Sequence, residues 1–135
     1  MEFLCTICCA EKRPDEEALP ARERYLSPRI AQIVAESEES DRPLLILSGK
    51  FGLISAEEPI PSYDEPLEAA RVSAVEPLVV KQLREHKATR LMFVARPRTT
   101  PGWRPYFDLI DGACKTAGVA LLHVVYNQTG EPMVS

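Results

Sequence analysis

Four short apolar segments that alternate with segments of helical periodicity are the feature that most constrains the fold. Each segment is apolar almost throughout, which is typical of parallel strands covered on both faces. The predicted strands are 3–9, 43–48, 90–95 and 119–126. Because helical segments separate them, the order β-α-β-α-β-α-β predicts a mainly parallel sheet whose strands are joined by right-handed crossovers.

The helical segments carry recognisable start and stop signals. Helices are predicted over 27–41, 66–86 and 103–117. Ser27 is placed to cap the first helix, with Pro28 at its first helical position. Pro77 lies inside the second and predicts a kink or two abutting helices, because an interior proline costs roughly 3 kcal/mol. Gly118 is the expected stop signal of the third helix.

We therefore predict a single α/β domain over 1–135, with an irregular tail from about residue 127. A chain of 135 residues is long enough to bury a core of its own. The expected architecture is a three-layer α/β/α sandwich around a four-stranded, mainly parallel sheet with strand order 2-1-3-4. This order puts the topological switch point between the first and third strands, where ligands of open α/β sheets bind.

Composition excludes some classes of protein. The formal net charge of −4 argues against a uniformly basic nucleic-acid binder, while local basic surface is still compatible with it. No apolar run approaches membrane-spanning length, and residues 1–5 lack the features of a signal peptide. We expect a cytoplasmic protein without a membrane partner, and the sequence leaves its oligomeric state open.

Cations gather in the loops that follow the predicted strands. In a parallel sheet these loops open onto one edge, and helix amino ends at that edge also favour anions. The cations are Lys12, Arg13, Lys50, Arg96 and Arg98, with Glu11 in opposition. This pattern predicts a site for a phosphate-bearing or carboxylate ligand. The alternative is a set of ordinary solvated loop cations.

The segment Ser48-Gly49-Lys50-Phe51-Gly52 follows the second predicted strand. Lys50 is the foremost candidate for contact with an anion, and its alternative role is that of a capping or surface lysine. Gly49 and Gly52 are expected to supply positive φ or close backbone approach. The Gly-x-x-x-x-Gly-Lys-Ser/Thr spacing of a triphosphate-binding loop is absent, which argues against a nucleoside triphosphatase.

The catalytic candidates are Ser48, Tyr63 and Asp64. Ser48 lacks a Gly-x-Ser-x-Gly elbow, which favours a turn or ligand-contact role over a nucleophile. Asp64 ends a loop predicted over 49–64. It either acts as an acid or base, or binds a ribose hydroxyl or an amino group, or serves as the N-cap of the next helix. Tyr63 either stacks on a base or anchors the loop.

The cysteines favour packing over metal binding. Cys5 and Cys8 form a Cys-x-x-Cys pattern, but inside a strand their side chains are expected on opposite faces, unlike those of a redox motif at a helix start. Cys9, at the exit of the first predicted strand, is the thiol to test for reactivity. The cysteines and histidines form no zinc pattern, and we predict no metal and no cofactor.

Four short motifs in the first half of the chain resemble a family of bacterial and phage domains of unknown function. They are Cys8-Cys9-x-x-Lys12, Pro20-Ala21-x-x-x-Tyr25-x-Ser27, Ser48-x-Lys50-x-Gly52-Leu53-Ile54 and Ile60-x-x-Tyr63-Asp64. The later motifs are also similar to the YaaA peroxide-stress family, although Ser62 replaces the proline before the tyrosine. The resemblance extends to about Asp64 and implies a shared set of Cys9, Lys12, Tyr25, Ser27, Ser48, Lys50, Tyr63 and Asp64.

Two main hypotheses follow. The first is a nucleotide- or base-processing domain. Its phosphate would be held by Lys12, Lys50 and Arg96, with Gly49, Gly52 and Arg98 beside them. Tyr63 would stack on the base, and Asp64 would polarise a sugar or base. The second is a non-catalytic nucleic-acid-binding module; the YaaA family, whose members are larger, is associated with DNA binding and oxidative stress. A third is a redox sensor that acts through Cys9. Whether the chain is an enzyme is left open.

Overall fold

The structure is a computed structural model that describes residues 1–8, 18–25, 27–60, 67–126 and 132–134. Its strands are β1 (Glu2–Ile7), β2 (Leu19–Pro20), β3 (Leu44–Ser48), β4 (Gly52–Ser55), β5 (Pro59–Ile60), β6 (Arg90–Ala95), β7 (Ala120–Tyr126) and β8 (Pro132–Val134). Its helices are α1 (Ala21–Arg24), α2 (Pro28–Ser40), α3 (Val72–Glu85) and α4 (Arg104–Ala117), and a 3-10 turn (Ala69–Arg71) precedes α3.

The protein is a mixed α/β fold with a mainly parallel sheet of order β4-β3-β1-β6-β7-β8. β3, β1, β6 and β7 run parallel, which confirms the predicted order of these four strands. The predicted strand count is wrong, because antiparallel β4 and β8 pair with β3 and β7. β2 and β5 form a separate antiparallel pair.

β4 replaces part of the loop that was predicted over 49–64. The chain turns back directly after β3, and Gly52 lies opposite Ser48 while Ile54 lies opposite Ile46. Leu53 and Ile54 are buried, so that the returning strand extends the apolar faces of the sheet. The prediction was wrong here because Leu53 and Ile54 are the only large apolar residues of this four-residue strand, and so short an apolar run does not identify a strand.

Two buried clusters cover opposite sides of the strands. Along β1, Phe3, Cys5 and Ile7 belong to one cluster, to which α3 and α4 contribute. Leu4 belongs to the other, which contains side chains of α1 and α2. This division follows from the alternation of side chains along a strand. It also accounts for the continuously apolar sequence of the parallel strands.

The predicted helix boundaries are largely confirmed. Ser27 caps α2 and its side chain accepts a hydrogen bond from the amide of Ile30 at 3.3 Å. Gly118 ends α4 with a φ of 74°. α3 begins later than predicted, after the 3-10 turn, and continues through Pro77 as one helix, not as two. Among the described residues, no helix combines the length and the apolar character needed to cross a membrane.

The switch point lies between β1 and β6. The connection from β1 leads through α2 to β3 on one side, and the connection from β6 leads through α4 to β7 on the other. In open α/β sheets, ligands bind outside the carboxyl ends of the strands at such a switch point.

Candidate functional site

Arg29 is fixed at the carboxyl end of β1. From the first turn of α2, its Nη2 donates to the carbonyl oxygen of Ile7 at 2.9 Å, and its Nη1 donates to the Thr6 hydroxyl. The buried Thr6 hydroxyl donates in turn to the carbonyl oxygen of Val94 in β6, at 2.7 Å. The Arg29 guanidinium is thus held at the junction of the two strands that form the switch point.

Trp103 lies beside Arg29 and also contacts a second guanidinium group, that of Arg96. It is the N-cap residue of α4, which follows β6. The Cζ atom of Arg29 lies 5.0 Å from the centroid of the Trp103 ring, and the Cζ atom of Arg96 lies 5.7 Å from it. The two guanidinium carbons are therefore no more than about 11 Å apart, which is the sum of these distances. We call Arg29, Trp103 and Arg96 the arginine–tryptophan cluster.

The adjacent helix ends supply fewer amide donors than the sequence suggested. Pro28 lacks an N–H, and the Ile30 amide is bound by Ser27. α4 also has a proline, Pro105, in its first turn. Because free amides carry much of the positive charge of a helix amino end, these helices are modest anion sites. The positive charge at this edge comes mainly from guanidinium groups.

Arg98 contacts the middle of α4, through Asp111 and Phe107. Its two terminal nitrogens donate to Asp111 at 2.7 and 3.0 Å, and its Cζ lies 5.0 Å from the centroid of the Phe107 ring. The hydrogen bond to Asp111 raises the pKa of Arg98. This bidentate pair ties the loop after β6 to α4. Arg98 stays a predicted ligand residue, but in this structure a carboxylate already engages its donors.

His123, in β7, holds the backbone of Arg96. Its Nε2 lies 3.2 Å from the Arg96 carbonyl oxygen, and its ring contacts those of Phe93 and Phe107. Burial, followed by the charge of Arg98, lowers the pKa of His123. The neutral ring, protonated at Nε2, suits this position because it donates to the carbonyl without adding charge beside Arg98.

The lowered pKa predicts a pH dependence of stability. An unfolded histidine titrates near pH 6.5, so between that value and the lower folded pKa the unfolded state binds more protons. We therefore expect the contribution of His123 to be present above about pH 6.5 and to be lost as the pH falls. When the pH is lowered from 7.5 to 5.5, the free energy of unfolding in urea should fall less for His123→Gln than for the wild type. His86→Gln is the control, and equal losses in all three proteins would contradict the prediction.

The turn between β3 and β4 is built by Ser48 and two glycines. The fully buried Ser48 Oγ accepts hydrogen bonds from the amides of Lys50 at 3.1 Å and Phe51 at 3.2 Å. Gly52 has a φ of 69°, and a Cβ on Gly49 would lie 2.7 Å from the Leu67 amide nitrogen. Positive φ and close approach at these glycines are thus confirmed. Ser48 acts here as a turn residue, one of the two roles that the sequence favoured over that of a nucleophile.

Lys50 lies at the carboxyl edge of the sheet, in the turn after β3. Its side chain is exposed, and its Nζ lies 5.5 Å from the centroid of the Phe51 ring. Because β3 pairs directly with β1, Lys50 is one strand away from the carboxyl end that holds Arg29. It is therefore placed to add positive charge to this edge.

Tyr106 connects α4 to the same turn. Its hydroxyl accepts a hydrogen bond from the Leu67 amide at 3.0 Å, and the Cys8 Sγ lies 3.8 Å from it. Burial raises the pKa of Tyr106, which favours the protonated hydroxyl. Because Gly49 packs on Leu67, this contact holds Leu67 between α4 and the β3–β4 turn.

The remaining predicted site residues divide into two groups. Tyr25 is buried in the cluster on the α2 side of the sheet, and Ser27 caps α2 two residues before Arg29. The other residues of the predicted site lie outside the described residues, and their roles stay predictions: Cys9, Lys12, Tyr63 and Asp64. Within the described part of the chain, no group of three or more His, Cys, Asp or Glu side chains could hold a metal ion.

Arg29 and Trp103 are not among the predicted site residues. Both stand at the start of a helix that follows a parallel strand, and so both belong to the carboxyl edge. The predicted site covers the loops alone, whereas the first turn of each helix lies at the same edge. A position in that first turn is the sequence signal that identifies both side chains.

A protein-family model, described as a family of unknown function (DUF6884), matches residues 4–98. This agrees with the resemblance to domains of unknown function and adds nothing to the similarity with the YaaA family. Neither a curated protein nor a solved structure matches the chain.

Proposed function

Since the chain belongs to DUF6884, a family of unknown function, we propose a function from the geometry of its carboxyl edge: the binding of a phosphate-bearing small molecule, such as a nucleotide. The observation that carries this proposal is the convergence of Arg29 and Arg96 on Trp103, at the switch point of the sheet.

Guanidinium groups suit a phosphate because their N–H donors match its oxygens in pairs. Arg29 is held by its bonds to Thr6 and Ile7, so little side-chain entropy is lost when a ligand binds. Arg96 is exposed and, among the described residues, forms no ion pair. We propose that Arg29 is the fixed anion contact, that Arg96 is the adjustable one, and that Lys50 adds charge.

The charge distribution favours a small ligand over a nucleic acid. A nucleic-acid interface needs a run of cations that can each reach a phosphate. Several arginines of this chain are engaged with carboxylates instead: Arg22 with Glu38, Arg90 with Glu2, and Arg98 with Asp111. We keep the nucleic-acid-binding module, with its suggested link to oxidative stress, as the alternative.

The proposed roles of the other predicted residues complete this site. Lys12 would add a further phosphate contact, Tyr63 would cover the ligand, and Asp64 would bind a sugar hydroxyl or act as an acid or base. Cys9 would lie nearby, as a thiol available for oxidation. These assignments follow from the positions of the four residues in the sequence.

Arg96→Ala is expected to weaken the binding of AMP by roughly 10- to 100-fold, the range for the loss of a charge-assisted hydrogen bond. Isothermal titration calorimetry with AMP, ribose 5-phosphate and inorganic phosphate measures the effect. Arg84→Ala is the matched control, because it removes the same charge from the exposed last turn of α3, towards the amino ends of the strands.

Two results would contradict the proposal. In one, the wild-type protein binds none of the three compounds. In the other, Arg84→Ala and Arg96→Ala weaken binding equally, which would indicate general charge and not a site. Tight binding of an oligonucleotide with a steep dependence on salt, without binding of the small compounds, would instead support the alternative.

A further inference from the structure

We propose that Trp103 is a stacking platform for a nucleobase, and that Arg96 covers this platform until the phosphate of the ligand draws it away. The inference rests on the proposed phosphate site and identifies its ligand as a nucleotide, as opposed to a sugar phosphate or a free anion. Trp103 would stack on the base, and Arg29 would be the fixed phosphate contact. Arg96 would cover the indole in the ligand-free protein and contact the phosphate in the complex.

The surroundings of Trp103 suit it to stack on a base. The side chain is partly buried at the start of α4, so the ring is held in place while part of it stays accessible. Its near neighbours include two guanidinium groups, at 5.0 and 5.7 Å from the ring centroid. An indole presented at a ligand-binding edge offers a flat surface on which every base can stack.

The two arginines differ in how readily they can leave the ring. Arg29 donates to the Thr6 hydroxyl and the Ile7 carbonyl, and these bonds would have to break for it to move. The side chain of Arg96 is exposed, whereas its backbone carbonyl is held by His123. Arg96 can therefore swing its guanidinium off the indole while its main chain stays in place.

The exchange is favourable on physical grounds. A cation–π contact at an exposed site is weak, and a base stacked on an indole is a stronger interaction. The displaced Arg96 gains a charge-assisted bond to the phosphate, so it exchanges a weak contact for a strong one. A sugar phosphate would draw Arg96 away but has no base to replace it on the indole, which would keep only its contact with Arg29.

Trp103 is the only tryptophan of the chain, so intrinsic fluorescence reports on this platform directly. AMP should change the fluorescence of Trp103 and protect it from acrylamide, and should bind about tenfold or more tighter than ribose 5-phosphate. Arg96→Ala should make Trp103 more accessible to acrylamide in the ligand-free protein. Arg84→Ala should leave that accessibility unchanged.

Substitution of the ring separates the base from the phosphate. Trp103→Leu should reduce the affinity for AMP to that for ribose 5-phosphate, without changing the latter, and Trp103→Phe should retain part of the preference for AMP. If Trp103→Leu fails to fold, the acrylamide measurements and Trp103→Phe still decide the question.

The outcomes distinguish the two proposals. If the wild-type protein binds AMP and ribose 5-phosphate equally, with unchanged Trp103 fluorescence, the stacking platform is wrong and the phosphate site stands. If it binds neither compound, the phosphate site is wrong, and the inference that rests on it is wrong as well.

Discussion

Gly52→Ala is expected to lower the free energy of unfolding by about 3 kcal/mol. Gly52 has a φ of 69°, and a residue with a Cβ loses roughly 1–2 kcal/mol in that conformation. The new Cβ would also collide with the Oε1 atom of Gln82. That side chain accepts from the Leu53 amide at 2.6 Å and donates to the Phe51 carbonyl at 2.9 Å. Displacing Gln82 would lose both bonds, each worth about 1 kcal/mol.

Matched variants separate the two causes. Gly102→Ala is the control for conformation, because Gly102 has a φ of 80° and, among the described residues other than its chain neighbours, no atom lies within 4 Å of an added Cβ. We expect it to cost about 1–2 kcal/mol in urea unfolding. The double variant of Gly52→Ala with Gln82→Ala should cost less than the sum of the single variants, because the Gln82 bonds can be lost only once. If Gly52→Ala costs no more than Gly102→Ala, Gln82 does not brace the turn.

Gly52 also shows how far the sequence could predict the fold. The parallel strands were predictable because burial on both faces leaves a continuous apolar run in the sequence itself. The need for a glycine after β3 was predictable from turn chemistry. That the turn reverses the chain into β4 was not, since this depends on pairing with β3 and on support from Gln82, which lies 29 residues after Leu53.

The candidate site was also predictable only in part from the sequence. The topology indicated which loops share an edge, and it placed Lys50 and Arg96 there. It could not distinguish Arg96 from Arg98, because the difference lies in Asp111, a partner 13 residues beyond Arg98 on α4. The contact of Arg29 with Trp103 joins the starts of two helices that are far apart in the sequence, and nothing local in the sequence connects them.

The same geometry predicts that lysine cannot replace Arg29. The guanidinium of Arg29 reaches the Thr6 hydroxyl and the Ile7 carbonyl with two different nitrogens, and the single ammonium group of lysine cannot reproduce that fork. We expect Arg29→Lys to lower the free energy of unfolding by about 1.5–3 kcal/mol, the worth of hydrogen bonds to charged groups. It should also weaken AMP binding by roughly 10- to 100-fold, because the positive charge is no longer fixed at the switch point.

Arg96→Lys provides the comparison, since Arg96 is exposed and contributes chiefly an adjustable charge. A lysine there keeps the charge but stacks less well on an aromatic ring, so we expect a smaller loss of AMP affinity than at Arg29 and little change in unfolding by urea. If Arg29→Lys binds AMP as the wild-type protein does, positive charge alone suffices at this edge. Arg29 would then serve to join α2 to β1, and the phosphate contact would have to lie elsewhere. Calorimetry and urea unfolding should be measured on the same variants. If Arg29→Lys loses more AMP affinity than Arg96→Lys, the fixed anion contact is the Arg29 guanidinium, which β1 holds in place.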